Sequence, residues 1–577
     1  MNVFHYCLLT RCRKTHPSMV MLVAVLAFAS CASPPENRAA TDASLREPTV
    51  LSGELLYEVI VGEISAQRGN TEESVSALLR AAEMARDHRL AARATQLAVK
   101  AGKLEEARAA ATIWIELDPD ETRANDALIR ILLGLGRSEE AIERLEEIIR
   151  KAGREVGPVY RRITQMLGYP DVGDGLTLYD RLLRHHPNQF EAQLGRADVA
   201  RRHKAPEVAM LAIEEALKLS PGNERAAKIK VELLIADNDL QGLSAFADLF
   251  LTTYPGATAF RLQYGQHLVD LGELARALEH LLRVVDEQPE NAEALFTTAL
   301  VSAELDGYAA AVGYLERFVA LRPTSNSDIA RLYLAELETK LGHYQRAEKW
   351  YHSLTGEKHR LQVQLGLAKI LSEQQGVDSA IEFLQGVEPE SEDQYEELIL
   401  AGEALLREAG RLAEAKEMLD RAMDEQPENP RFLYQRGLIT ATMGRLEEHE
   451  QDMRRLIQIE PDNPHAYNAL GYTLADKTDR LDEALELISR ALELRPDDPF
   501  ILDSIGWVHF RLGNHEQAIN YLQQAFELFP DAEIAAHLGE VNWVSGGRER
   551  AREIWGHAYE ENPDSSVLKE TMQRLDP

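Results

Sequence analysis

The chain has 577 residues, a formal net charge of −32, 27% charged side chains and only 6% aromatic ones. A negative charge of this size repels nucleic-acid phosphates and anionic lipid, which argues against both as partners. Solubility accounts for most of this charge, and attraction of a basic partner is the alternative. All three cysteines lie within residues 1–31, so the rest of the chain has no disulfide.

Residues 1–30 have the composition of a bacterial secretory signal. Basic residues precede an apolar run at 19–29 that is too short to span a bilayer. The run ends in the sequence Phe-Ala-Ser-Cys at 28–31, which resembles a lipobox. We therefore expect signal cleavage between Ser30 and Cys31 and lipidation of Cys31. An ordinary secretory signal is the alternative.

The lipobox resemblance also implies a location. Ala32 follows the cysteine where an inner-membrane retention signal has Asp, so the protein is expected at the outer membrane. Attachment would rest on acyl chains, because no other run is long and apolar enough to cross a bilayer. Residues 31–47, which include Pro34 and Pro35, are predicted to form a flexible tether that leaves the following domain in the periplasm.

From residue 48 onward the sequence repeats. Gly272 is followed five residues later by Ala277 and seventeen residues later by Pro289, and the same triplet recurs from Gly410 and from Gly513. Such triplets, spaced by about 34 residues, are typical of tetratricopeptide repeats, in which each repeat is a pair of antiparallel helices. Gly suits the left-handed residue that ends the first helix, and Pro ends the second.

The turn between paired helices can be placed fifteen times along the chain. Its predicted positions are residues 69, 102, 136, 170, 204, 238, 272, 306, 342, 375, 410, 444, 479, 513 and 546. Ala recurs five residues after most of these turns, where a small side chain lets the two helices approach closely. The spacing therefore predicts an all-α tetratricopeptide-repeat solenoid of about fifteen helix pairs.

Departures from the spacing divide the array. Residues 48–323 and 396–567 form well-phased N-terminal and C-terminal repeat blocks, whereas 324–395 has two extra residues and lacks one proline. We interpret 324–395 as an irregular seam within one continuous solenoid, because no Gly/Ser linker separates the blocks. Residues 568–577 are predicted to form a capping helix over the last apolar face.

Motifs that carry catalysis are incomplete in this sequence. His515-Glu516 begins a zincin pattern, but Ile519 occupies the position of the second histidine. The chain has no GxxxxGK[ST] loop for phosphate. Since the repeats also leave no room for a catalytic domain, we predict a protein that is not an enzyme, with no cofactor, no metal site and no small-molecule substrate.

Aromatic residues cluster on the first helices of the C-terminal block. Trp507 and Trp543 are predicted to face the inner groove of the solenoid, with Tyr434, Tyr472 and Phe500 on the same side. Aromatic anchors among charges such as Arg431 and Arg511 are typical of a peptide-binding groove. Packing between consecutive first helices is the alternative for each of these aromatic side chains.

Several segments resemble a family of proteobacterial outer-membrane tetratricopeptide lipoproteins. The matching segments are Glu63–Gly69, Ala91–Ala94, Trp114–Pro119, Asn468–Asp476, Asp503–Val508 and Ile534–Val541. Members of this family resemble adaptors for a periplasmic carboxyl-terminal processing protease. The resemblance implies a right-handed spiral that binds this serine protease and presents protein substrates to it, notably peptidoglycan hydrolases. The protein would then be a non-catalytic scaffold, attached to the membrane by lipid alone.

The first helix is the candidate dock for the protease. Its apolar residues exceed what one neighbouring helix can bury; they are Leu51, Leu55, Leu56, Val59 and Ile60. A role as an N-terminal cap explains the same excess. A structural scaffold of an envelope machine, for exopolysaccharide export or outer-membrane protein assembly, is the alternative function.

Overall fold

A computed structural model describes residues 52–576, except 154, 168–174, 186, 322–326 and 355. The signal segment, the tether, Cys31 and Leu51 lie outside the described residues, as does the turn predicted at 170. The described residues form 31 α-helices and one 3₁₀ turn, with no strand among them. Helices α1–α30 follow one another as fifteen pairs; fourteen pack closely along their backbones, and α7 and α8 meet through side chains such as Tyr160 and Tyr179. This arrangement confirms the predicted all-α tetratricopeptide-repeat fold.

The described residues fall into two compact units, one on each side of residues 322–326. The first unit contains eight helix pairs, in which odd numbers are first helices and even numbers are second helices. These are α1 Gly53–Gln67, α2 Thr71–Ala85, α3 His88–Lys100, α4 Leu104–Leu117, α5 Thr122–Gly134, α6 Ser138–Ala152, α7 Val156–Leu167, α8 Gly175–His185, α9 Phe190–Arg202, α10 Pro206–Leu219, α11 Glu224–Ala236, α12 Leu240–Thr253, α13 Thr258–Asp270, α14 Leu274–Glu287, α15 Ala292–Glu304 and α16 Tyr308–Leu321.

The second unit contains seven helix pairs and a final helix. These are α17 Asp328–Lys340, α18 Tyr344–His352, the 3₁₀ turn Glu357–His359, α19 Arg360–Gln375, α20 Val377–Gln385, α21 Glu392–Glu408, α22 Leu412–Glu425, α23 Pro430–Thr442, α24 Leu446–Ile459, α25 Pro464–Lys477, α26 Leu481–Leu494, α27 Pro499–Arg511, α28 His515–Leu528, α29 Ala532–Val544, α30 Arg548–Glu561 and α31 Ser566–Leu575.

Turns inside the pairs follow the predicted chemistry. Nine of the predicted glycines adopt a positive φ between 70° and 94°, as the left-handed end of a first helix requires. Lys204, Asn238 and Asp306 take the same conformation with φ of 56°, 57° and 59°. At 479 the turn lies where it is predicted, between α25 and α26, but α25 ends on Thr478 with φ −138° and ψ 176°, which is extended and not left-handed backbone.

Close approach of paired helices explains the recurrent alanines. Ala107, Ala277, Ala415 and Ala518, which follow their turns by five residues, have no exposed surface. The second helices of the seam are short, since α18 and α20 have nine residues each whereas α22 and α26 have fourteen. Of the described helices, none combines the length and the apolar character that a membrane span requires.

Candidate functional site

The seven candidate groove residues lie on four consecutive first helices, α23, α25, α27 and α29. Neighbouring first helices contact each other directly, as α25 does with α27 and α27 with α29. The side chains do not form one continuous aromatic surface, however. They separate into a buried cluster around Trp507 and a second site around Trp543.

Trp507 belongs to the interior of this helix layer. Its side chain is 8% exposed, and its ring stacks on that of His537 with 4.4 Å between centroids. Tyr472 is half-buried, with its ring centroid 6.2 Å from that of His537. Trp507 is therefore not an accessible groove anchor in this structure, and packing between consecutive first helices accounts for its position.

His537 links α29 to α27 through a buried ion pair. Its Nδ1 lies 3.0 Å and 2.9 Å from the two carboxylate oxygens of Asp503. Burial lowers the pKa of His537, but attraction by Asp503, Glu533 and Glu540 outweighs it and raises the pKa from 6.5 to about 9. The imidazolium is thus the stable form at neutral pH, and it lies against the face of Trp507.

The His537–Asp503 pair makes stability depend on pH. Because the folded-state pKa lies above the unfolded value, the pair's contribution is complete below pH 6.5 and is lost as the pH rises through about 9. We expect the wild-type melting temperature to fall between those two pH values, and His537→Gln to flatten this part of the curve. Thermal unfolding followed by circular dichroism checks it. Parallel curves for the two proteins would contradict the assignment.

Trp543 forms a separate site with the following helix. Its ring lies 5.8 Å from that of Trp555, and the Cζ atoms of Arg548 and Arg552 lie 5.1 Å and 5.2 Å from its centroid. The ring is half-buried. Of the two predicted tryptophan anchors, Trp543 is the one with surface left for a ligand.

The two predicted groove arginines are engaged within the chain. Arg431 is exposed and pairs with Glu396 of the preceding first helix. Arg511 donates to carbonyl groups at the end of α25, among them that of Asp476 at 3.0 Å. Arg511 therefore caps a helix that lacks the left-handed turn residue, and its predicted place in the groove stays a prediction.

Tyr434 and Phe500 lie between helices and not on a free surface. Tyr434 is half-buried between two core clusters, and burial raises its pKa to about 12. The ring of Phe500 lies 5.7 Å from that of Phe529. The role of the seven residues in binding a ligand remains a prediction.

The first helix presents a different surface. Its N-cap Ser52 accepts the N–H of Leu55 at 3.1 Å, and Glu58 pairs with Arg80 of α2 at 2.8 Å. A second ion pair joins Glu63 to Arg93 of α3 at 3.0 Å. These contacts fix α1 on the next two helices.

The opposite side of α1 is apolar and exposed. Leu56, Tyr57, Ile60 and Ile64 are 45%, 64%, 46% and 43% exposed. We call these four residues the apolar stripe. Leu55 is buried at 7%, so its prediction as a docking residue is wrong. Val59 is half-buried, whereas Tyr57 and Ile64, which are not among the five predicted docking residues, are exposed.

One group of side chains has the composition of a metal site. His88, Asp118 and Glu121 place possible ligand atoms within 4.8 Å of one another. The carboxylate of Glu121 is already held by Arg123, whose Nε and Nη2 each lie 3.1 Å from it. We assign no metal to this group.

Comparison with known proteins identifies the repeats. A model described as Tetratricopeptide repeat matches residues 93–155, 171–224, 262–326, 405–464 and 504–566, and a second model of the same description matches 462–531. The chain is also 30% identical over 531 residues to the TPR repeat-containing protein PA4667 of Pseudomonas aeruginosa. That alignment covers 91% of this chain and 88% of the relative. The chain belongs to the tetratricopeptide-repeat family.

Solved structures of tetratricopeptide-repeat proteins are more distant. The thermophilic TPR protein TTC0263 of Thermus thermophilus is 23% identical, with 31% of this chain and 98% of that chain covered and a TM-score of 0.29. A tetratricopeptide repeat protein of Parabacteroides merdae is 17% identical, with coverages of 50% and 99% and a TM-score of 0.31.

Membership of the tetratricopeptide-repeat family indicates a protein-interaction scaffold with protein partners. The fold is typically non-catalytic, and the matched models name no catalytic family. Sequence reasoning missed His537 as the centre of the aromatic cluster. The repeat length could have predicted this contact. Asp503 and His537 are 34 residues apart, so they occupy equivalent positions on adjacent first helices.

Proposed function

We propose that this protein is an outer-membrane lipoprotein that binds a periplasmic carboxyl-terminal processing protease through α1 and presents protein substrates to it. The lipobox resemblance at Cys31 supports the location, and the family resemblance supports the protease and its peptidoglycan-hydrolase substrates. The observation that carries the docking assignment is the difference between the two ends of the repeat array.

The C-terminal end is covered in the way a soluble solenoid requires. Helix α31 buries Leu568 completely, and Arg574 pairs with Glu540 of α29 at 2.9 Å and 2.5 Å. No large apolar side chain of α31 is exposed. A terminal helix with a polar outer face is what keeps a repeat array soluble.

The N-terminal end lacks such a cover among the described residues. The apolar stripe faces away from α2 and α3, and the structure describes no helix before α1. Four large apolar side chains at helical spacing form a contiguous ridge, which fits an apolar groove on another protein. If α1 were only a cap, this ridge would be buried within the chain. If α1 is a docking helix, the ridge stays exposed until a partner protein binds it.

Polar substitution of the stripe tests the dock. We expect Leu56→Ser with Ile60→Ser to reduce recovery of the protease from periplasmic extract at least tenfold, because two central apolar anchors are lost. The matched control is Leu211→Ser with Leu249→Ser, which alters side chains that are 60% and 67% exposed on second helices. Mass spectrometry of the captured proteins measures both.

Three outcomes would contradict the proposal. Equal capture by the stripe variant and the wild type would remove α1 as the dock. Equal loss in the control variant would mean that apolar exposure in general causes capture. Recovery of export or assembly components in place of a serine protease would favour the envelope-machine alternative.

A further inference from the structure

Charge in the first unit is segregated between the two helix layers. The first helices α3, α5, α7, α9 and α11 carry 13 Lys or Arg against five Asp or Glu, a net charge of +8. Their partner second helices α4, α6, α8, α10 and α12 carry seven basic and 13 acidic residues, a net charge of −6. We call the layer of five first helices the basic face. It lies within a chain whose net charge is −32.

The basic face has definite limits along the chain. Helix α1 before it carries three acidic residues and no basic one. Helix α15 beyond it carries two acidic residues and no basic one, and α13 between them is neutral. Within the face, α3 contacts α5 and α7 contacts α9. Ion pairs join the other neighbours: Asp126–Arg162 links α5 to α7, and Asp198–Arg225 links α9 to α11. Five adjacent repeats therefore place their basic side chains in one layer.

The acidic residues of the basic face are largely occupied. Asp126 pairs with Arg162 at 3.0 Å, and Asp198 pairs with Arg225 at 2.8 Å. The carboxylate of Glu224 accepts the backbone N–H of Phe260 at 2.7 Å. These carboxylates cannot neutralise the remaining basic side chains without giving up contacts they already make.

Several basic side chains of the face remain available. Lys100, Arg161 and Arg202 are exposed and form no ion pair with any described residue. Among the described residues, Arg89 and Arg123 pair only with the N-cap carboxylates of their own helices, and their side chains are 80% and 79% exposed. Exposed pairs of this kind are weak because water screens them, so a partner's carboxylates can replace them.

We propose that the basic face binds an extended acidic segment of a partner protein. The proposal rests on the scaffold function above and names the chemistry of a segment that this scaffold recognises. The charges extend over five repeats, which suits an extended chain better than a single small anion. A nucleic acid or an anionic bilayer would also meet the acidic second-helix layer and be repelled by it, whereas an extended peptide can lie along the basic face alone.

Fluorescence anisotropy with a fluorescein-labelled peptide of alternating Glu and Ser tests the proposal on the purified full chain. We expect saturable binding at about 0.01 M salt that weakens strongly at about 0.15 M, since screening shortens the range of the attraction. Arg161→Glu with Arg202→Glu reverses two exposed charges on α7 and α9. This variant should weaken binding at least about tenfold, which corresponds to about 1.4 kcal/mol.

The neighbouring second helices offer a matched control. Arg150 and Arg184 are exposed on α6 and α8, so Arg150→Glu with Arg184→Glu changes the net charge equally in the other layer. We expect less than about a twofold change in affinity for it. Circular dichroism shows whether both variants fold. If Arg161→Glu with Arg202→Glu unfolds, Lys100→Glu, which alters only a helix end, is tested in its place.

Four results would overturn the proposal: no binding at low salt, equal weakening in both variants, tighter binding to DNA or anionic vesicles than to the peptide, or self-association that depends on Arg161 and Arg202. Protease capture through the apolar stripe provides an independent readout. If capture persists while peptide binding is absent, the basic-face proposal fails and the adaptor function stands.

Discussion

Replacing Arg436 by Met destabilises the second unit by about 3–5 kcal/mol, because it leaves a buried carboxylate without its partner. Arg436 on α23 donates from Nε and Nη2 to Asp452 of α24 at 2.9 Å and 2.6 Å, and from Nη1 to Asp420 of α22 at 2.8 Å. The Asp452 side chain is only 3% exposed. Denaturant unfolding followed by circular dichroism gives the free energy.

Two comparisons separate this effect from a general loss of charge. Arg421→Ala removes an ion pair whose arginine is 72% exposed, and it should cost less than about 0.5 kcal/mol. Adding Asp452→Leu to Arg436→Met should recover part of the loss, since an apolar pair carries no uncompensated charge. If the double variant is less stable than Arg436→Met alone, the explanation by a buried charge is wrong.

Gly539→Val should destabilise the C-terminal repeat by at least about 3 kcal/mol, because α29 packs against α30 without room for a side chain. A Cβ atom at Gly539 would lie 2.0 Å from Nε1 of Trp555, whose side chain is 1% exposed. Tryptophan fluorescence includes a signal from this site, since two of the five tryptophans, Trp543 and Trp555, lie together there. Denaturant unfolding gives the stability.

Gly556 on α30 provides the matched control for Gly539. A Cβ atom at this position meets nothing within 4 Å. Gly556→Val should therefore change stability by less than about 0.5 kcal/mol. Similar losses in the two valine variants would indicate a general penalty for valine in these helices and not a clash with Trp555.

Spacing along the sequence predicts the helix pairs well, because the turn chemistry is local. Gly102 and Gly410 adopt left-handed conformations where the repeat places them. Lys204 takes the same conformation without being glycine, so the register of the array imposes it. The cap was predicted at residues 568–577, and the structure has α31 from Ser566 to Leu575.

The candidate site is harder to predict from the sequence than the helix pairs are. The repeat spacing gives the helix and the face on which a residue lies, but not how deeply its side chain is buried. Trp507 lies on the predicted side of α27 yet is covered by His537 from α29. Arg511 has the composition of a groove charge, but its use as a helix cap depends on how α25 ends. Contacts between neighbouring repeats determine that Trp507 is buried and that Arg511 caps α25. In the sequence, such contacts can be recognised only from pairs of residues that are one repeat apart.

The distribution of charge between the two helix layers is also hard to predict from the composition of the chain. A net charge of −32 favours a basic partner if the surface is taken as uniform. The first and second helices differ in charge, however, and the basic face carries a net charge of +8. An acidic partner can therefore bind this face. Composition describes the whole chain, whereas a solenoid offers two layers that different partners can meet.

Under the proposed function, this protein accelerates proteolysis of other proteins without cleaving them itself. Purified protease, as captured from periplasmic extract, is incubated with a peptidoglycan hydrolase in the presence and absence of the protein, and cleavage is followed by gel electrophoresis. We expect faster cleavage with the wild type, little acceleration with Leu56→Ser and Ile60→Ser, and no cleavage by the protein alone. Equal cleavage rates with and without the wild-type protein would contradict the account.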